Sequence, residues 1–215
     1  MALTKRIDGT YTINASGIAL VDDRNMTAGT GITQTATAIV KHSVVTFGTI
    51  IETTIIFDLT GLRSGSNGDI IGGAAAANSH YGQILTAVNG TILHGYMKCL
   101  EAPAGGEPNI DLFSATESTG TEDAAISALT ETKLLDVGGD WTSRSVTEDE
   151  SASSDRITAD SSTTSADSVP GIGVMESSIE TVPPANGFLY LVTGGAGTDA
   201  AYTAGKFLIK LYGYA

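Results

Sequence analysis

Residues 44–59 read VVTFGTIIETTIIFDL, and this stretch decides the fold class. Large apolar residues alternate in it with small or polar ones, which is the pattern of a β-strand with one buried face. The residues assigned to the core face are Val45, Phe47, Ile51, Ile55, Phe57 and Leu59. Gly48 interrupts the alternation, so the pattern predicts one long strand or two strands broken near Gly48.

Three later segments repeat the β pattern. Residues 83–88, the dipeptide Asn89-Gly90 and residues 91–100 have the form strand, turn, strand, and Asn-Gly is favoured in two-residue type I′ hairpin turns. The other two are FLYLV at 188–192 and KFLIKLY at 206–212, in which Phe207, Ile209 and Leu211 share one face. We predict an all-β protein, an antiparallel β-sandwich, with these segments and residues 44–59 as its core.

The composition supports the all-β class. Charged residues make up 16% of the chain, and strong helix formers are scarce beside Thr, Val and Ile, which favour strands. Two segments stay open at this stage. The four alanines at 74–77 fit either tight packing or a helical turn, and residues 121–134 fit either a short helix or a strand.

We predict one β-sandwich domain at residues 41–215, preceded by an extended N-terminal arm at residues 1–40. The arm contains too few large apolar residues for a core of its own, and one or two short strands are expected in it. Residues 142–168 are predicted to be a flexible surface insert, because more than half of them are Ser or Thr and acids supply much of the rest.

Charge and cysteine usage limit the possible partners. The formal net charge is −13 and the sequence pI is about 4.4, which disfavours binding to nucleic acid through phosphate neutralisation. Cys99 is the single cysteine, so an intrachain disulfide is excluded. No apolar run reaches the ~18 residues of a membrane span, and the N-terminal sequence predicts no secretion signal. We therefore expect neither a nucleic acid nor a membrane as partner.

We predict no catalytic, cofactor-binding or metal-ligating residue, and we interpret the chain as a non-enzymatic protein without a cofactor. The Gly-rich residues 193–205 lack the order of a Walker A loop. His42, His80 and His94 lack the spacing of a zinc site, and no Gly-x-Ser-x-Gly elbow is present.

An acidic segment is the remaining candidate for chemistry. Its members are Glu101, Glu107, Asp111, Glu117, Glu122 and Asp123. A carboxylate pair for glycoside hydrolysis and a calcium cage are both alternatives here. The aromatic content of 6% and the absence of an alternating Asp loop favour a solvated acidic loop instead.

Part of the chain resembles a known group of proteins. The runs that carry the resemblance are TIIFDLTGL, DIIG, SHYGQI, NGTILHGYMKCLEAPAGGEPNIDLFSATESTGTEDAAIS and GFLYLVTGGAGTDAAYTAGKFLIKLYGY, within residues 44–137 and 182–215. They resemble virion structural proteins of tailed phages, those of marine phages especially. The resemblance implies a capsid cement or decoration protein, which is a jelly-roll or related sandwich, a homotrimer, and a partner of the major capsid protein.

The resemblance also implies a location, namely the outer surface of the head in a virion assembled in the host cytoplasm. In this role the arm would become ordered on a neighbouring subunit, and the acidic surface would complement basic patches of the shell. Two alternatives remain. The chain is a tail protein or another shell-forming virion subunit, or it is a secreted carbohydrate-binding or carbohydrate-cleaving β-sandwich, against which the sparse aromatic residues argue.

Overall fold

The computed structural model describes residues 3–5, 11–13, 18–22, 26–33, 40–136, 140–141, 175–197 and 199–215. The predicted insert at 142–168 lies outside these residues. The strands are β1 Leu3–Lys5, β2 Tyr11–Ile13, β3 Ile18–Asp22, β4 Val40–Phe47, β5 Ile50–Asp58, β6 Arg63–Ser64, β7 Gly82–Gln83, β8 Thr91–Ala104, β9 Ile110–Ala115, β10 Glu131–Leu135, β11 Met175–Ser178, β12 Phe188–Thr193, β13 Ala200–Ala201 and β14 Ala204–Tyr214. The short helices are α1 Thr30–Thr33, α2 Thr86–Asn89 and a 3-10 turn at Ile126–Ala128.

Two antiparallel sheets form the body of the molecule. The larger sheet has the strand order β1-β2-β3-β4-β5-β14-β8-β11, and the smaller has the order β10-β9-β12-β7. Apolar side chains of both sheets meet in one buried cluster, for example Phe57 and Ile209 of the larger sheet with Leu112 and Leu191 of the smaller. The predicted all-β antiparallel sandwich is thereby confirmed.

The stretch at 44–59 forms a hairpin of β4 and β5. Phe47 is paired with Ile50, and Gly48 adopts φ +64° in the two-residue turn between them, a value that glycine reaches without strain. This turn inverts the parity between the strands, so that Val44 of β4 and Thr53 of β5 face the core together. The assignment of Ile51, Ile55, Phe57 and Leu59 to the core is confirmed. The assignment of Val45 and Phe47 to the core face is wrong, because both lie on the opposite face, where Phe47 is 50% exposed.

The hairpin predicted at Asn89-Gly90 is also wrong. Asn89 ends the helical turn α2, and the strand predicted at 83–88 is reduced to β7. β7 belongs to the smaller sheet and β8 to the larger, so the chain crosses from one sheet to the other at this point. A two-residue hairpin joins neighbouring strands of a single sheet and cannot make that crossing.

The side chain of Asn89 explains why this residue is inside the protein. It is fully buried, its Oδ1 accepts a hydrogen bond from the Leu85 amide at 2.8 Å, and its Nδ2 donates to Thr53 Oγ1 at 2.8 Å. Gly90 follows with φ +70°, and a Cβ there would lie 2.6 Å from the Tyr214 carbonyl oxygen. Asn-Gly is therefore a packed crossover point between the sheets.

The central strands of the smaller sheet, β9 and β12, are buried on both faces. One face meets the larger sheet, and Ile70, Ile126 and Tyr190 belong to a second apolar cluster on the other face. Every residue of β9 is buried, so the loop-rich acidic stretch expected at 107–120 is wrong over Ile110–Ala115. β9 has no apolar-polar alternation because neither of its faces meets water. The alternation pattern in the sequence therefore does not identify it as a strand.

The two open segments are resolved by the structure. Residues 121–134 contain the 3-10 turn and then β10, which pairs with β9, so the strand alternative holds for the second half. The alanines at 74–77 form no helix, and Ala75 has a φ of +53° in a turn closed by the Ala76 amide and the Gly73 carbonyl.

The first 40 residues contribute to both the edge and the core. β1, β2 and β3 extend the larger sheet beyond β4 as an antiparallel meander. The side chains of Met26 and Ile32 are at most 2% exposed and belong to the main apolar cluster. The Gly29 amide also donates a hydrogen bond to the His80 carbonyl at 2.8 Å. Residues 26–33 are thus a packed part of the sandwich.

Trp141 anchors the far end of the core. It is fully buried, its Nε1 donates to the Ile110 carbonyl at 2.9 Å, and its ring meets Phe207 edge-on with centroids 5.3 Å apart. Residues 179–181 close the sandwich at one edge, where the Ile179 amide donates to Gly95 of β8 and the Glu180 amide to Leu134 of β10.

Candidate interaction surface

The middle of the larger sheet has a face that no described residue covers, which we call the outer face. It consists of the side chains on β4, β5, β8 and β14 that alternate with the core residues. The members are Lys41, Ser43, Val45, Phe47, Ile50, Glu52, Thr54, Ile56, Asp58, His94, Tyr96, Lys98, Glu101, Lys206, Leu208, Lys210, Tyr212 and Tyr214.

One end of the outer face is apolar. Phe47, Ile50 and Tyr214 are register partners across β4, β5 and β14, and their exposed fractions are 50%, 39% and 51%. Four of the seven large apolar residues found exposed in the described part of the chain belong to this face, namely Phe47, Ile50, Ile56 and Tyr214. A concentration of this kind marks an interaction site more often than scattered apolar residues do.

The rest of the outer face carries paired charges. Lys210 Nζ donates to Glu52 Oε1 at 2.8 Å, and Lys206 contacts Glu101 and, at 3.7 Å, Asp58. Burial opposes ionisation of Asp58, but hydrogen bonds from Thr60 and the charge of Lys206 outweigh it and lower its pKa. The hydrogen bond to Glu101 raises the pKa of Lys206. Asp58 and Lys206 are therefore ionised near neutral pH, and Lys206 and Lys210 each pair with an acidic side chain of the face.

The charge balance of this face differs from that of the whole molecule. The four strands hold four lysines, Lys41, Lys98, Lys206 and Lys210, and three acids, Glu52, Asp58 and Glu101. The face therefore carries one net positive charge, which leaves −14 on the rest of a chain whose total is −13. Repulsion from a like-charged neighbour is accordingly weakest here.

Aromatic rings adjoin the apolar end. The rings of His94 and Tyr212 are parallel, at 8° and 6.2 Å between centroids, and Tyr96 lies 6.5 Å from Tyr212. Desolvation, with contributions from Tyr96 and Glu52, raises the pKa of Tyr212 to about 12. The phenol is thus neutral and able to donate a hydrogen bond at physiological pH.

The structure does not gather the six acids of the predicted segment into one site. Glu101 is on the outer face, the Glu107 carboxylate accepts from the Asn109 amide, and Glu117 accepts from the Thr130 amide and hydroxyl. Asp111 is a buried residue of β9 that lies 3.7 Å from Lys133. This last placement corrects the expectation of a solvated acidic loop, since burial beside a cation gives Asp111 a structural role.

Glu122 and Asp123 belong to a separate polar cluster that also contains Arg63 and Asp199. Burial raises the pKa of Glu122, whose Oε2 accepts a hydrogen bond from the Ala75 amide. Arg63 lies 3.9 Å from Glu122 and forms a bidentate pair with Asp199 at 2.7 and 2.9 Å. The cluster ties β6, the β13 region and the 121–124 turn together, which is a structural function.

The histidines and the cysteine are separated as well. His42 Nε2 is 2.7 Å from the Tyr81 carbonyl, His94 is exposed on the outer face, and His80 is 8% exposed beside Phe188. Burial lowers the pKa of His80 to about 4 and raises that of the Cys99 thiol to about 11, so both are uncharged at neutral pH.

The described part of the Gly-rich segment, residues 193–197 and 199–205, contributes to a small cleft. Tyr202 of this segment is buried and donates to the Glu107 carbonyl at 2.7 Å. The cleft measures about 290 Å³ and is lined by Gly105, Gly106, Glu107, Ala196, Gly197 and Ala200. Among the described residues that line the cleft, Glu107 alone is ionisable.

Two further observations concern the described residues alone. Within them, no three side chains of His, Cys, Asp and Glu are grouped to hold a metal ion. None of the helices described here has the length and apolar character needed to traverse a lipid bilayer.

Sequence reasoning missed the apolar end of the outer face. A signal for it was present in the adjacent pairs Ile50-Ile51 and Ile55-Ile56, since neighbouring residues of a strand point to opposite faces. Two consecutive isoleucines therefore place an apolar side chain on each face.

Comparison of the chain with protein-family models, with curated protein sequences and with solved structures gives no match. The fold, the outer face and the sequence resemblance are therefore the features that bear on function.

Proposed function

We propose that the protein is a non-enzymatic structural component of a tailed-phage virion, a cement or decoration protein that binds the outer surface of the head and stabilises contacts between major capsid subunits. The observation that carries this proposal is the outer face, an exposed, apolar and charge-balanced sheet surface in an otherwise strongly acidic sandwich. A surface of this composition fits a protein whose activity is binding to other subunits.

Charge supports a division of labour between two surfaces. The remainder of the molecule carries −14, so it suits basic patches on a shell and is repelled by packaged DNA. The outer face, nearly neutral, suits contacts that depend on apolar burial. A decoration protein that reinforces a junction between shell subunits uses both kinds of contact.

Cosedimentation with phage heads that lack the protein tests this proposal. The expected result is saturable binding to heads, weakened by salt because the acidic surface contributes, and absent with isolated tails. Binding to tails in place of heads would move the protein to the tail, the closest alternative within the virion. Binding to neither would contradict a virion role.

The parallel rings of His94 and Tyr212 favour a second candidate, a carbohydrate-binding sandwich, because flat aromatic groups stack on sugar rings. A glycan array decides this alternative. Specific binding that disappears in Tyr212→Ala would support it, and an array without binding would remove it.

A further inference from the structure

We infer that the outer face binds a second copy of this chain. The inference goes beyond the proposed function: two copies that meet through the same face are related by a twofold axis, so the contact joins two copies. It assigns the contact between copies to the strands β4, β5, β8 and β14, with Phe47, Ile50 and Tyr214 at its centre.

Electrostatics selects the occupant. A basic partner would gain more by binding the part of the chain that carries −14 than a face that carries +1. An acidic partner finds two of the four lysines of the face already paired, Lys206 with Glu101 and Lys210 with Glu52. The face therefore suits a partner surface that is itself apolar and near neutral, and another copy supplies such a surface.

The size of the face is adequate. Four strands spaced about 4.8 Å apart, with about nine residues each at ~3.4 Å per residue, span roughly 20 by 30 Å. Stable interfaces bury about 800 Å² of accessible surface on each partner. The plane of the four strands measures ~600 Å², and the side chains that project from it add to this area. One outer face therefore provides most of one partner's contribution.

The charge distribution also predicts how the association between copies depends on salt. Because copies repel through their acidic surfaces and meet through a neutral face, added salt screens the repulsion and strengthens association. Binding between complementary charges weakens with salt, so the sign of the effect distinguishes the two kinds of contact.

Analytical ultracentrifugation of the purified full chain, without heads, is the test. We expect the wild-type protein to associate, more tightly at about 500 mM than at about 50 mM NaCl, a range over which the Debye length falls severalfold. The variant Phe47→Ser/Ile50→Thr/Tyr214→Ser is expected to sediment as a monomer with the Trp141 emission of the folded wild type. Val182→Ser removes an equally exposed apolar residue elsewhere and should change nothing.

A second variant keeps the test decisive if the triple variant fails to fold. Lys41 is exposed on the outer face, and Lys41→Glu changes the charge of the face from +1 to −1 while keeping every apolar group. We expect it to weaken association at about 50 mM salt and to recover at about 500 mM.

Three results would overturn the inference: a wild-type monomer, a triple variant that stays associated, or an association of wild type that weakens with salt. Loss of head binding by an associated triple variant would instead assign the face to the shell and leave the proposed function intact. Association that depends on the face, in a protein that ignores heads, would remove the proposed function and leave this inference standing.

Discussion

At the scale of single residues, Asn89 is the polar group on which the crossover between the sheets depends. Its side chain satisfies the Leu85 amide and the Thr53 hydroxyl inside the apolar core. Replacing it with alanine leaves the Leu85 amide without a partner and opens a cavity, and each effect destabilises a folded protein.

We expect Asn89→Ala to lower the free energy of unfolding by roughly 2–4 kcal/mol. Urea unfolding followed by Trp141 fluorescence measures it. Asn67→Ala, at an exposed turn, is the matched control and should lie within about 0.5 kcal/mol of wild type. A loss below about 1 kcal/mol at Asn89 would contradict this role for its hydrogen bonds.

His80 provides a prediction on pH. Its pKa is about 4 in the folded protein and near 6.5 when unfolded, because burial disfavours the charged imidazolium. Between these values the unfolded chain binds the extra proton, so the His80 contribution to stability is complete above pH 6.5 and is lost as the pH falls toward 4.

Unfolding free energies measured at pH 7 and pH 5 should differ by roughly 1–2 kcal/mol more in wild type than in His80→Gln. His94→Gln replaces an exposed histidine and should retain the wild-type difference. Equal pH dependence in wild type and His80→Gln would show that protonation of His80 does not oppose folding.

At the scale of elements, a strand can be predicted from the sequence when one of its faces is buried and the other meets solvent. β5 and β14 have one face in the core and one on the outer face, and their alternation was legible in the sequence. β9 is buried on both sides, contains Asp111 and Ser114, and lacks the pattern. The crossover at Asn89 was missed because Asn-Gly carries a strong local turn preference, whereas the burial of Asn89 is a long-range effect.

The outer face could be predicted only in part. The paired isoleucines of β5 implied an apolar side chain on its solvent side, but Tyr214 and Phe47 join Ile50 only through the strand order β4-β5-β14. That order is a product of tertiary folding, and a single sequence does not encode it as a local pattern.

The N-terminal region yields a matched pair of deletions. Removing residues 2–22 takes away β1–β3 and leaves the core residues Met26 and Ile32 in place, so we expect a folded sandwich with wild-type Trp141 emission. Removing residues 2–38 also takes away Met26 and Ile32, which are buried in the main cluster, and we expect it to lower the unfolding free energy by roughly 3 kcal/mol or more.

Circular dichroism and urea unfolding compare the two deletions directly. The shorter deletion also exposes the hydrogen-bonding edge of β4, so its solubility should fall at high concentration. Equal stability of the two products would contradict a core role for residues 26–33.

At the scale of the whole molecule, the net charge of −13 opposes compaction as well as association. Salt screens this repulsion, and it also weakens exposed ion pairs such as Arg63 with Asp199, which contribute little to stability. Such pairs are few among the described residues, whereas the net charge is large. We therefore expect the repulsion between like charges to dominate, so that the unfolding free energy rises with NaCl.

The monomeric outer-face variant separates this effect from association. Its urea midpoint should increase between about 50 and about 500 mM NaCl, while an uncharged osmolyte of equal osmolality serves as the control for general solvent effects. A midpoint that falls with salt would show that ion pairs outweigh the charge excess.

Trp141 contacts β14, and Met175 opens β11 two places away in the same sheet, so the sandwich fixes residues 142–174 at both ends. A segment whose two ends are held by one folded body tolerates added length well, because the entropy cost of closing it grows only with the logarithm of its length. We therefore expect an epitope or an affinity tag spliced in between Trp141 and Met175 to leave the sandwich folded.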